Sequence, residues 1–185
     1  MLNLQNRLRI ILLIVLLSNL SFAEFSIDYA KTSLIDSIYV LDAELNFHLT
    51  EVAIEALQNG VLLPLVFTII IERNRWYLWN KKVVTIRQPY ELKYYALTRQ
   101  YGLKNLTTNT QENFAYLETA ISYLNKVKTF PLLAKQELTD SSSEYWVYLQ
   151  IHLDIESLPV PLRPIAHLSS QWRLSSSWYS CPLQP

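Results

Sequence analysis

Glycine is scarce: Gly60 and Gly102 are the only two in 185 residues. The chain therefore has no glycine-rich loop whose backbone amides could close around a phosphate. Cysteine is scarcer still. Cys181 stands alone, which excludes an internal disulfide, a cysteine-built zinc site and a lipid-carrying cysteine behind an N-terminal leader. Net charge is missing too, with 16 basic against 16 acidic residues. A neutral chain has no electrostatic hold on a polyanion, so no nucleic-acid partner is expected. Charged residues make up 17% of the chain and hydrophobic ones 50%, which excludes a disordered protein and suffices for one globular core.

The sequence also lacks H-E-x-x-H and G-x-S-x-G, so the zinc-peptidase and nucleophile-elbow frames are absent. Ser175, Ser176 and Ser177 read as a polar strand end between Trp172 and Trp178, and Cys181 as an incidental free thiol. The nearest thing to an acid/base or metal constellation is Asp42, Glu44 and His48 on one strand face and His152 with Asp154 on another. A hydrolase built from them needs the two strands to pair; alternation alone already puts polar side chains on a wet face. No catalytic residue, cofactor or metal is expected.

At the N-terminus, residues 1–23 have the form of a secretory signal. Arg7 and Arg9 precede an apolar run from Ile10 to Leu17 that continues through Leu20 and Phe22, and Ser21-Phe22-Ala23 presents small residues where signal peptidase cuts. Cleavage after Ala23 leaves a single exported, periplasmic domain over 24–185. It removes two arginines and no acid, so the exported domain is mildly acidic. The alternative is an inner-membrane anchor at residues 10–22, although Ser18, Asn19 and Ser21 interrupt the span of about 20 apolar residues that crossing requires. The membrane is then met only through the uncleaved leader.

Beyond the leader, period-two alternation dominates the chain. Phe25, Ile27 and Tyr29 open a first strand that turns near Thr32–Asp36, and Tyr39 through Leu49 alternate as a second. Thr50 can cap a short helix over Ala53, Ile54 and Leu57, which Gly60 stops. Leu62–Ile71 is apolar on both faces, as the most central strand would be, with Pro64 near its start. Val84 to Ala96 reads as a long strand with a bulge or bend at Pro89, and Arg99 to Leu103 as a short one. A capping box at Asn109 and Glu112 predicts a second helix through Phe114, Leu117, Ile121 and Leu124, ending near Lys126–Lys128. Tyr145 to Ile155 is the cleanest strand, Leu158–Pro164 an extended connector, and Gln171–Leu174 a last strand facing Trp172 and Leu174 inward. The expected fold is α+β, mostly β: a single antiparallel sheet or sandwich of about seven strands with two covering helices.

The most unusual stretch is R-N-R-W-Y-L-W, where Arg73 and Arg75 share a face and Trp76, Tyr77 and Trp79 follow. Guanidinium over an aromatic face contributes about 0.5–2 kcal/mol and can brace a sheet corner; the same groups dominate binding hot spots. Arg99 and Tyr101 belong to a second such cluster with Tyr94 and Tyr95.

The segments EALQNGVLLPL, R-x-R-W-Y-x-W at Arg73–Trp79, Y-x-L-x-Y-x-A-L-T-R-Q-Y from Tyr90 to Tyr101, and L-P-V-P-L followed by W-R-L-S-S-S-W-Y occur in this order. Together they resemble the exported bacterial family called domain of unknown function 4390, across nearly the whole exported chain. The resemblance implies a small exported protein of Gram-negative bacteria whose gene often lies beside a sensor kinase of the nitrogen-regulation type, and it brings no catalytic residues. Tyr95 and Ser177 depart from the pattern, standing where a small polar residue and an acid are usual.

These observations point to a non-enzymatic exported domain that binds an envelope protein, a membrane sensor kinase or a peptide through Arg73, Arg75, Trp76, Tyr77, Trp79, Arg99 and Tyr101. A small-molecule or lipid-binding module, with Leu62–Ile71 lining a cavity, is the alternative from another class. Mass spectrometry of the protein recovered from cells is expected to find Glu24 as its first residue; recovery of the intact leader would identify the anchored form instead.

Overall fold

The structure, a computed structural model, describes residues 25–75, 77, 79–138, 140 and 143–184; the leader lies outside them. Among these residues the strands are β1 (Phe25–Ile35), β2 (Ile38–Phe47), β3 (Leu63–Arg73), β4 (Lys81–Tyr95), β5 (Gln100–Asn105), β6 (Thr110–Phe114), β7 (Lys126–Ala134), β8 (Tyr145–Leu153) and β9 (Tyr179–Pro182). The helices are α1 (Glu51–Gln58), α2 (Leu117–Leu124) and α3 (Arg163–Leu168). The class is α+β and mostly β, as expected. The single sheet of about seven strands with two helices is corrected to two antiparallel sheets, ordered β1-β2-β7 and β6-β5-β4-β3-β8-β9, with three helices. Both sheets contribute one face to a shared hydrophobic cluster.

β3 occupies the middle of the larger sheet for the reason its sequence suggests. Leu63, Leu65, Phe67, Ile69 and Ile71 enter the core, and Val66 and Thr68 are buried on the opposite face. α1 also forms as expected: the Thr50 hydroxyl accepts from Ala53 N–H at 3.2 Å and donates to the Gln171 carbonyl at 2.9 Å, and Gly60 ends the helix at φ +87°.

Several expectations are overturned by local geometry that alternation does not encode. β1 runs on through Thr32 to Ile35, and the turn is Asp36–Ser37, both with positive φ, as a two-residue hairpin of the favoured twist requires. A bulge between Ile27 and Tyr29 shifts the alternation, so Tyr29 is exposed and Ala30 and Thr32 turn inward. Pro89 makes no bulge. It pairs with Val66 in unbroken register, and its carbonyl accepts from Leu106 N–H at 2.9 Å. Its nitrogen faces that same side, away from β3, where no ladder donor is missing.

The capping box at Asn109 and Glu112 is likewise corrected. The Asn105 side chain accepts from the N–H groups of Thr107 and Thr108, a turn that sends Thr110–Phe114 back as the edge strand β6. The second helix begins only at Leu117, without a side-chain cap, and Lys126–Lys128 and Pro131 lie in β7. Leu158–Pro164 is not extended: a 3-10 turn at Val160–Leu162 leads into α3, since proline fits a first helical turn. Gln171–Leu174 is no strand either. Ser170–Trp172 forms a 3-10 turn, with Trp172 and Leu174 buried nonetheless. The serine run lies alongside β8, Ser175 bridging His152 and the Ser176 hydroxyl accepting from Ile151 N–H at 3.1 Å.

Gly102 lies in strand β5 opposite Lys93 and Asn113. A Cβ there would sit 2.6 Å from Cε2 of Tyr95 and 3.1 Å from the amides of Gln111 and Asn113. The glycine thus lets the Tyr95 ring lie across the sheet, with Lys93 Nζ 5.4 Å from its centroid. Gly102→Val should cost about 1–2 kcal/mol in denaturant unfolding. In a Tyr95→Ala background, where the obstruction is gone, the same change should cost little or stabilise.

Candidate functional site

Arg73 ends β3, paired with Lys81 on one side and Tyr145 on the other. Beyond it the Asn74 N–H donates to the Glu144 carbonyl at 2.8 Å, which ties the start of the β3–β4 loop to β8. Arg73 and Arg75 are half-buried. Nε of Arg75 is shielded from solvent and has no hydrogen-bond partner among the described residues, whereas Tyr77 and Trp79 are exposed. Trp76 lies outside the described residues. Beside the loop a cleft of about 450 Å³ is lined by Tyr39, Leu138, Glu144, Tyr145, Trp146 and Leu183, among others. Those residues come from separate segments, so nothing in the sequence marked them as neighbours of Arg73; only β3–β8 pairing brings Tyr145 and Trp146 there.

The second cluster stands elsewhere. Arg99 is exposed in the β4–β5 turn at φ +53°. Tyr101 is half-buried on β5, its ring 4.9 Å from that of Tyr94. Arg99 and Tyr101 share a hollow of about 420 Å³ with Ile54 of α1 and Tyr116. The Arg73–Trp79 loop precedes β4 and the Arg99 turn comes after it. At 3.2–3.4 Å per residue, a strand of 15 residues separates the two by about 50 Å. Arg73, Arg75, Tyr77 and Trp79 are therefore brought together, and Arg99 and Tyr101 are not brought to them.

The family described as Domain of unknown function (DUF4390) matches residues 23–182. The chain belongs to that family. Comparisons with curated proteins and with solved structures return no match. The segments that carried the resemblance fall on α1 with the start of β3, on the β3–β4 loop, on β4 with its turn into β5, and on the stretches that follow β8. Within the matched residues, Tyr95 is the residue that lies over Gly102.

The titratable residues of the DUF4390 domain do not assemble. Asp42 and Glu44 point away from the core on the smaller sheet, where the Asp42 carboxylate accepts from Thr129 N–H at 2.8 Å. His152 points away from the core on the larger sheet, with Asp154 just beyond the end of β8. The outer faces of two sheets that share a core look in different directions. Among the described residues no group of three or more His, Cys, Asp or Glu could hold a metal ion. Cys181 is buried, and burial raises its thiol to about 11, so it is protonated at neutral pH.

His152 is the exception to an otherwise hydrated set. Its Nδ1 is buried with no hydrogen-bond partner among the described residues. Burial and the nearby Arg87 guanidinium lower its pKa, with Asp154 opposing. A depressed folded-state value means the unfolded chain binds the proton more readily. Stability is then full above about pH 6.5 and falls as the pH drops toward the folded pKa. His152→Gln should flatten that part of the stability–pH curve measured by urea unfolding between pH 7.5 and 5, leaving the alkaline side unchanged.

Proposed function

We propose that this DUF4390 domain is an exported, non-enzymatic binding module that grips a segment of an envelope protein, with a membrane sensor kinase as the leading candidate class, at the β3–β4 end. The observation that carries this reading is the juxtaposition at one end of the larger sheet. Half-buried Arg73 pairs with Tyr145, which lines a cleft together with Trp146 and Leu183, and the loop that follows carries Arg75, with its unsatisfied shielded Nε, and exposed Trp79. Arginine and large aromatics beside a concavity are the groups that supply most of the energy of a protein interface, and a partner carboxylate or carbonyl would satisfy the Arg75 guanidinium. The signal-like residues 1–23 support export, and the resemblance to a family encoded beside sensor kinases supports the choice of partner.

The cavity alternative has no comparable support. Leu63, Leu65, Phe67, Ile69 and Ile71 of β3 sit in the shared cluster, and none of them lines any of the five concavities found among the described residues.

A photoreactive amino acid in place of Trp79, activated in living cells, should yield one discrete adduct. Arg75→Ala should lower its yield at least fivefold while the melting temperature moves by no more than about 2 °C. If Arg75→Ala instead unfolds the domain, or the adduct persists undiminished, the arginine braces the sheet corner and the binding reading fails.

A further inference from the structure

Exposed aliphatic side chains occur at both ends of the molecule, Ile35 at 46% and Ile38 at 42% beside the Asp36–Ser37 turn among them, but the most exposed ones cluster. Among the described residues, those more than half exposed are Leu97 at 102%, Leu168 at 85%, Val160 at 68% and Ile165 at 57%, and all lie at one end of the molecule. Leu97 is in the β4–β5 turn, Val160 just before α3, and Ile165 and Leu168 on α3. The contacts that unite this end are specific. The Thr50 hydroxyl at the start of α1 bonds the Gln171 carbonyl just beyond α3, and Ile54 of α1 shares a hollow with Arg99 and with exposed Tyr116. The far end carries the Arg73–Trp79 loop and the Asp36–Ser37 turn, and its most exposed apolar groups are the aromatics Tyr77 and Trp79.

The chain enters the domain at the aliphatic end. Phe25 opens β1 and pairs with Phe47 at the end of β2, only three residues before Thr50. In the sequence, Ala23 and Glu24 alone separate Phe25 from Phe22, the last residue of the apolar leader, a reach of about 10 Å. Until the leader is cut, a bilayer that receives residues 10–22 is therefore within a few residues of the end that displays Leu97, Ile165 and Leu168. Isolated exposed leucines need no explanation. Four aliphatic side chains on two separate connections, gathered where an apolar leader departs, do need one. Such groups gain by entering the interfacial layer of a membrane to a depth of about 5–10 Å; the exposed guanidinium groups of Arg99 and Arg173 at the same end suit anionic headgroups, against the exposed carboxylates of Glu51, Glu55 and Glu156.

We infer that this end is a membrane-contacting face of the domain itself: Leu97, Ile165 and Leu168 dip into the lipid surface, and the Arg73–Trp79 loop is held away from it. Contact with lipid thus belongs to the folded domain and persists once the leader is cut after Ala23. It orients the β3–β4 end outward by about the length of β4.

The test uses the exported form, from Glu24 on, so that the leader cannot itself hold the domain at the bilayer, with vesicles of phosphatidylethanolamine and phosphatidylglycerol and an environment-sensitive fluorophore on Leu97→Cys, Leu168→Cys or Trp79→Cys. Buried Cys181 does not compete for the label. Emission from positions 97 and 168 should shift to the blue and fall at least twofold when the lipids carry brominated acyl chains, while position 79 stays unchanged. No quenching at 97 and 168, or equal quenching at 79, overturns the inference. So does a blue shift at 97 and 168 that appears without lipid and grows with protein concentration, because a second copy then covers this end. The two labelled positions lie on separate elements, so each checks the other. Failure at both leaves the adduct at Trp79 and its dependence on Arg75 untouched, so the two readings fall separately.

Discussion

Burial of β3 on both faces is the constraint on which the other positions depend. Leu63, Leu65, Phe67, Ile69 and Ile71 face the shared core while Val66 and Thr68 are covered from the other side. Each large apolar side chain so buried contributes about 1.5–3 kcal/mol, an upper value because an unfolded chain already hides some of that surface. A slip of one residue would exchange the two faces, so the pairing of β3 with β4 and β8 is strongly specified. That register sets the position of Arg73 against Tyr145, the cleft beside it, and the length of strand that separates Arg73 from Arg99.

Scarcity of glycine shapes the turns. With only two available, the chain places Asp36, Ser37, Arg99, Asn109 and Thr129 at positive φ, at roughly 1 kcal/mol or more each. Side-chain hydrogen bonds offset some of this, as where Asp42 accepts from the N–H of Thr129. The two glycines serve where other residues fail: Gly60 at the end of α1, and Gly102 beneath the Tyr95 ring. A strand glycine in so glycine-poor a chain is a legible sign of close approach, although the group that approaches is not legible.

Legibility tracked the range of the forces involved. β3, β8 and α1 could be read because burial on two faces, clean alternation and a capped helix are local patterns that packing reinforces. Asn109 and Glu112 misled because the spacing of a capping box also fits a hairpin strand, and the Asn105 turn favoured the hairpin. β7 was hidden by lysines and a proline, Pro131, that an edge strand tolerates and a central one does not. The parity of β1 was lost at a single bulge. In the candidate site, Arg73, Arg75, Tyr77 and Trp79 were visible as one unusual run, whereas Tyr39, Tyr145, Trp146 and Leu183 carry no mark of their own.

Composition and period alone determined the mostly β class, which faces are dry, the absence of a phosphate cradle and of a disulfide, and the leader-like start. These properties depend on residue type and on spacing along the chain, and both are local. Tertiary structure alone decided that the strands divide into two sheets around one core, that the two Arg/aromatic clusters stand at opposite ends of β4, and that the most exposed aliphatic residues gather where the chain enters. Alternation says that a strand has an apolar face. Which other face it meets is chosen by the combined burial of every strand at once, and so by residues far apart in the chain.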